Sequence, residues 1–86
     1  MYRVLLARPA QRFFEDADAA LQRRLDRCIE QLRENPRALP NIKALKGRYA
    51  GHLRHRIGDY RVVYRINDAE RTVVIPVIAH RRKVYD

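Results

Sequence analysis

Cysteine occurs once in these 86 residues, at Cys28, so no internal disulfide and no cysteine cage for a metal can form. No apolar run approaches the ~20 residues that span a bilayer. The longest, Val73–Ala79, is strand-sized and contains Pro76. Met1–Ala7 carries Arg3 inside its apolar stretch and is too short for the apolar region of a secretion signal. Low-complexity stretches and internal repeats are also lacking. The 47% hydrophobic content is ordinary for a globular chain and argues against wholesale disorder. These absences predict a soluble cytoplasmic protein that spans no membrane, folded as a single domain over residues 1–86. A domain of this size buries only about 60–65% of its unfolded surface, so its stability margin is thin.

Negative charge is scarce too. Ten acids face nineteen lysines and arginines, a net charge of +9, which predicts a polyanionic partner such as nucleic acid or an acidic protein. Residues 1–40 have no lysine, and their eight arginines are nearly balanced by six acids. Residues 41–86 carry eleven basic residues against four acids. The first part reads as a solvated helical region, the second as a basic platform.

What is present has a clear order. Tyr2–Ala7 reads as a strand. Pro9 suits the first turn of a short helix reaching about Ala17, with Phe13, Phe14 and Ala17 inward. Asp18 can cap a second helix, in which Leu21, Leu25, Cys28, Ile29 and Leu32 form one apolar stripe that Asn35-Pro36 terminates. The two helices should form a hairpin. Arg37–Gly51 reads as loop. His52–Ile57, Tyr60–Ile66 and Thr72–His80 read as strands, with a type II′ turn at Gly58-Asp59. Pro76 cannot donate to a ladder and implies a bulge or an unpaired edge. The expected class is α+β: a small, mainly antiparallel four-stranded sheet in the order β-α-α-β-β-β, with the N-terminal helical hairpin packed on one face.

The turn sets a register: Ile57 opposite Tyr60, Arg56 opposite Arg61, Arg54 opposite Val63. Alternation then places Leu53, His55, Ile57, Tyr60, Val62 and Tyr64 on a core face. The other face takes His52, Arg54, Arg56, Arg61, Val63 and Arg65. Like charges directly opposite in a sheet are destabilising, a local cost that a bound anion would remove. A solvated strand face whose charges discourage edge pairing is the plainer reading. Arginine, however, grips phosphate with two parallel hydrogen bonds and keeps its proton. The ending, His80-Arg81-Arg82-Lys83-Val84-Tyr85-Asp86, adds cations that can reach this face, or it is a frayed basic terminus. Tyr85 has little chain left to bury it, and arginines around it favour its phenolate, a form suited to deprotonating a ribose hydroxyl. His52, His55 and His80 lack carboxylates or cysteines at ligand spacing, so no metal site is expected. His55 and Cys28 read as core.

Leu45-Lys46-Gly47, the hairpin Ile57-Gly58-Asp59-Tyr60-Arg61-Val62-Val63-Tyr64 and the ending His80-Arg81-Arg82-Lys83-Val84-Tyr85 together resemble the RelE/ParE toxin superfamily over nearly the whole chain. The ending resembles the RelE branch more than the gyrase-poisoning ParE branch. The resemblance implies a toxin of a type II toxin–antitoxin pair that cuts mRNA in the ribosomal A site without metal. In that chemistry the ribose 2′-oxygen attacks the adjacent phosphate. By the same resemblance Arg61 and Arg81 would stabilise the transition state, and Tyr85 would act as base or stacking platform. Arg54 falls where a family lysine is linked to proton transfer, and His52 where another lysine stands. Both are departures, since arginine is a poor general acid, whereas His52 or His80 can donate a proton. Arg56, Lys46, His52, His80, Arg82 and Lys83 would bind RNA phosphates. The implied partners are an acidic RelB-like antitoxin, through which the toxin mainly oligomerises, and the ribosome with its mRNA. No cofactor is implied. The alternatives are a ParE-like gyrase inhibitor and a degenerate member that only binds its antitoxin and represses transcription with it.

Overall fold

The computed structural model describes residues 1–81. The chain runs β1 (Arg3–Leu6), α1 (Arg8–Asp16), α2 (Ala19–Glu34), β2 (Ile42–Ala44), a 3-10 turn (Gly47–Tyr49), β3 (Leu53–Ile57), β4 (Tyr60–Asn67) and β5 (Thr72–His80). The class is α+β as expected, but the sheet has five strands, not four, in the order β1-β5-β4-β3-β2. The added strand is β2, inside the stretch read as loop. Three residues are too few for alternation to show, and Pro40 and Gly47 punctuate them as a loop would be. Pairing with β3, with Ile42 opposite His55 and Ala44 opposite Leu53, makes it a strand. β1 pairs with β5 in parallel, so the sheet is mixed although mainly antiparallel.

The helices start and stop where their caps dictate. Pro9 stands in the first turn of α1. The Asp18 carboxylate accepts the Leu21 N–H at 2.8 Å and caps α2. Gln22 Nε2 donates to the Phe14 carbonyl at 2.9 Å, which also accepts the Ala17 N–H at 3.2 Å, so α2 helps close the end of α1. The α2 stripe buries Leu25, Cys28 and Leu32, with Leu21 and Ile29 alongside, against Val62, Tyr64, Val73, Ile75 and Ile78 of the sheet. Burial pushes the Cys28 thiol up to about 12, which makes it an inert core group. No helix among the described residues is long and apolar enough to cross a membrane.

Pro76 sits in a bulge. Between Val63 and Arg65, β4 advances two residues while β5 passes from Val77 to Val74. The extra residue lies just beyond Ile75, the last partner of β1. Val73 and Ile75 therefore face the helices, as does Ile78 after the bulge, whereas Val77 and Ala79 face the other way.

A polar clasp closes the far end of the sheet. Asp68 accepts from the Tyr2 hydroxyl at 2.7 Å and from both terminal nitrogens of Arg37 at 3.1 and 2.8 Å. These bonds hold the Asp68 carboxyl down at about 2, against about 3.9 in an unfolded chain. A depressed carboxyl pKa stabilises the fold above its unfolded value, and that contribution is lost as pH falls through the folded one. The melting temperature of Asp68→Asn should thus lie below wild type at pH 7. The gap should narrow from pH 4 downward and close only below pH ~2. Thermal melts at three pH values check this, and a gap independent of pH refutes it.

Candidate active site on the cationic sheet face

The β3–β4 hairpin builds the site. Its register is the one the turn dictates: Ile57 opposite Tyr60, Arg56 opposite Arg61, Arg54 opposite Val63. Gly58 has φ +57° while Asp59 keeps the ordinary sign, the type II′ pattern. A Cβ on Gly58 would also lie 2.9 Å from Arg24 Nη2, so α2 braces this turn from the helix side. The core-facing residues go under the helices. His55 is buried, with its Nδ1 2.8 Å from the Pro40 carbonyl oxygen, and burial lowers its pKa, keeping the ring neutral.

The opposite face carries the cations. Lys43, Arg54, Val63 and Val77 form one row across four strands, and Arg56, Arg61 and Ala79 form the next. The floor is apolar: Leu45 and Val63 are buried, with Tyr49, Val77 and Ala79 packed against them. Arg54 is only 6% exposed, whereas Arg56 is exposed. His52 shares this side, with its ring edge-on to Tyr49 at 5.7 Å. Its Nδ1 is buried and has no hydrogen-bond partner among the described residues. A shallow depression bounded by Asn41, Ile42, Lys43, Arg54 and Arg56 opens at the β2 edge.

Arg81 joins this end of the sheet. Its N–H donates to the Asp59 carbonyl at 2.8 Å, and its Nη1 lies 3.8 Å from Asp59 Oδ1. It follows Ala79, the partner of Arg61, by two residues. His80 does not join. It pairs with Tyr60, and the rings of Phe13, Tyr60 and His80 form an edge-to-face series at 5.8 and 5.7 Å, on the face that carries Val62 and Ile78. Lys46 is exposed immediately before the 3-10 turn. Tyr85, Arg82 and Lys83 lie outside the described residues.

Three residues escaped the sequence reading. Lys43 enters through β2, Tyr49 through the fold of the loop over Val63, and Asp59 through its contact with Arg81. Only Asp59 left a signal, as the one acid among the hairpin's arginines. Among the described residues no group of three histidines, cysteines or carboxylates could hold a metal ion. Guanidiniums gathered over an apolar floor can bind a polyanion and stabilise charge that develops on phosphate oxygens.

A family model described as the ParE toxin of a type II toxin–antitoxin system matches residues 4–85. Among solved structures, the chain is similar to one in the toxin–antitoxin complex RelBE2 of Mycobacterium tuberculosis, with 30% identity and a TM-score of 0.79 over 93% of this chain and 98% of the other. A chain of the archaeal RelE–RelB complex of Pyrococcus horikoshii is 25% identical with a TM-score of 0.82, covering 96% of this chain and 98% of that one. The YoeB/ParE toxin of Agrobacterium tumefaciens shares the fold at 20% identity and a TM-score of 0.79, over 91% and 96% of the two chains. No curated protein matches the chain in sequence.

Proposed function

This chain belongs to the ParE toxin family of type II toxin–antitoxin systems, and we propose that within it the protein is a RelE-like endoribonuclease that cuts mRNA in the ribosomal A site. One observation carries this reading: Arg54, Arg56 and Arg61 share one sheet face, and β5 brings Arg81 to the same end. In the proposed reaction a ribose 2′-oxygen attacks the adjacent phosphorus. Tyr85 takes the 2′-hydroxyl proton. The bond from the 2′-oxygen to phosphorus forms, and the bond from phosphorus to the 5′-oxygen breaks. Arg61 and Arg81 stabilise the negative charge that builds on the non-bridging oxygens. The products are a 2′,3′-cyclic phosphate and a 5′-hydroxyl.

The leaving 5′-oxygen needs a proton. Arginine holds its proton too tightly to supply it. Of the two candidate histidines, His52 stands on the cationic face and His80 on the helix face, so the role is assigned to His52. Arg56 and Lys46 hold RNA phosphates in this scheme, with Lys43 beside them and Arg82 and Lys83 extending the set, while the buried Arg54 adds positive charge beneath them. An acidic antitoxin would cover the same face, with an affinity that falls with salt.

Primer extension on an mRNA in a purified translation system tests the proposal. Wild-type protein should give cuts within A-site codons only when ribosomes are present, and Tyr85→Phe should weaken them. Intact mRNA with a folded wild-type protein refutes it. The ParE model match gives one specific ground for a gyrase-inhibitor reading. Stabilised cleaved DNA in a gyrase assay, indifferent to Tyr85→Phe, would establish that alternative.

A further inference from the structure

We propose that Asp59 is a positioning residue for Arg81, an inference that rests on reading Arg81 as a phosphate-binding group. In the hairpin register Tyr60 pairs with His80, so one step further Asp59 stands opposite Arg81. Two contacts join them. The Arg81 N–H donates to the Asp59 carbonyl at 2.8 Å, which carries the ladder past the end of β5 and fixes where the Arg81 backbone lies. The Asp59 carboxylate then lies 3.8 Å from Arg81 Nη1.

A turn residue alone would not require that carboxylate. Asparagine serves equally well beside Gly58. The other acids between residues 41 and 81, Asp68 and Glu70, lie in the β4–β5 turn at the far end of the sheet. Asp59 is therefore the carboxylate that the strands and their turns place beside the guanidiniums. Arg81 is 53% exposed, beyond the last strand, with a long side chain free to sample many rotamers. A negative charge on one side of it narrows that sampling.

The 3.8 Å separation is too long for a hydrogen bond, so Asp59 steers by charge and consumes none of the five guanidinium donors. Among the described residues no other acceptor takes them, which leaves them to a phosphate. The pair is exposed on both sides, so its effect on stability is small and its effect on orientation is the one to measure.

The test uses Asp59→Asn, which keeps the turn and the backbone bond but removes the charge. The first readout is the Arg81 side-chain Nε–H signal of the full-length protein in heteronuclear NMR. It should show greater mobility in Asp59→Asn, while the melting temperature stays within about 3 °C of wild type. The second is single-turnover mRNA cleavage. Asp59→Asn should be slower by about tenfold, Asp59→Glu should recover part of the loss, and Asp59→Asn/Arg81→Gln should be no slower than Arg81→Gln alone. Unchanged Arg81 mobility, or additive losses in the double variant, would overturn the proposal. If wild-type protein does not cleave RNA, the nuclease reading fails, and the NMR arm still decides whether Asp59 positions Arg81.

Discussion

Arg61→Ala should abolish growth inhibition while leaving the protein folded. Arg61 lies on β4 opposite Arg56 on one side and Ala79 on the other. Removing it takes away one of two like charges facing each other across the hairpin, so the sheet loses little and gains some relief. The chemistry loses much more. A donor preorganised for transition-state charge is worth about 10²–10³ in rate when deleted. Arg61→Lys keeps the charge but not the two-pronged hydrogen bonding, and should recover only part of the activity. The readouts are colony formation on induction, primer extension, and a melting curve to show that the fold persists. Full toxicity in a well-expressed Arg61→Ala protein would remove Arg61 from the mechanism.

Tyr64→Ala should lower the melting temperature by about 12–40 °C. Tyr64 is among the largest fully buried side chains, and its hydroxyl donates to the Pro36 carbonyl at 2.8 Å. That bond ties the middle strand of the sheet to the segment just after α2. Truncating a buried aromatic costs about 3–5 kcal/mol. The whole stability of an 86-residue domain is about 4–13 kcal/mol by the usual per-residue range. Tyr64→Phe keeps the ring and orphans only the carbonyl, at about 1–2 kcal/mol, or a melting-temperature drop of about 4–16 °C. Burial also pushes the Tyr64 hydroxyl up to about 12, so above pH ~10 the unfolded chain ionises first and stability falls. Tyr64→Phe should lack that part of the alkaline loss. Circular dichroism melts decide both points, and a Tyr64→Ala protein that melts like wild type would contradict the packing described.

The legible parts of this fold are the local ones. Asp18 before an apolar stripe of period 3.6 marks α2, because cap and stripe both lie within a few turns of chain. Gly58-Asp59 marks the hairpin and its register, because a two-residue turn admits one pairing. That register by itself puts Arg54, Arg56 and Arg61 on one face. Pro76 announces a disruption, since a missing N–H has the same consequence in any sheet. β2 was illegible because three residues become a strand only when β3 offers them a ladder. The parallel pairing of β1 with β5 joins residues near 4 to residues near 73, and no local signal specifies it.

The candidate site divides the same way. The sequence alone determined that arginines would line one face of the hairpin, since alternation and turn geometry act over neighbouring residues. It also determined that Leu21, Leu25, Cys28, Ile29 and Leu32 would turn one side of α2 inward. Which cations join that face depends on contacts between distant strands. The bulge at Pro76 shifts the alternation of β5, so Ala79 meets Arg61 and His80 turns to the helix side beside Tyr60 and Phe13. β2 adds Lys43 opposite Arg54, and Asp59 reaches Arg81 across the end of the sheet. The physical reason is one of range. Caps, turns and alternation are set by bonds a few residues apart, whereas strand order and a neighbour's bulge are set by burial of the whole core.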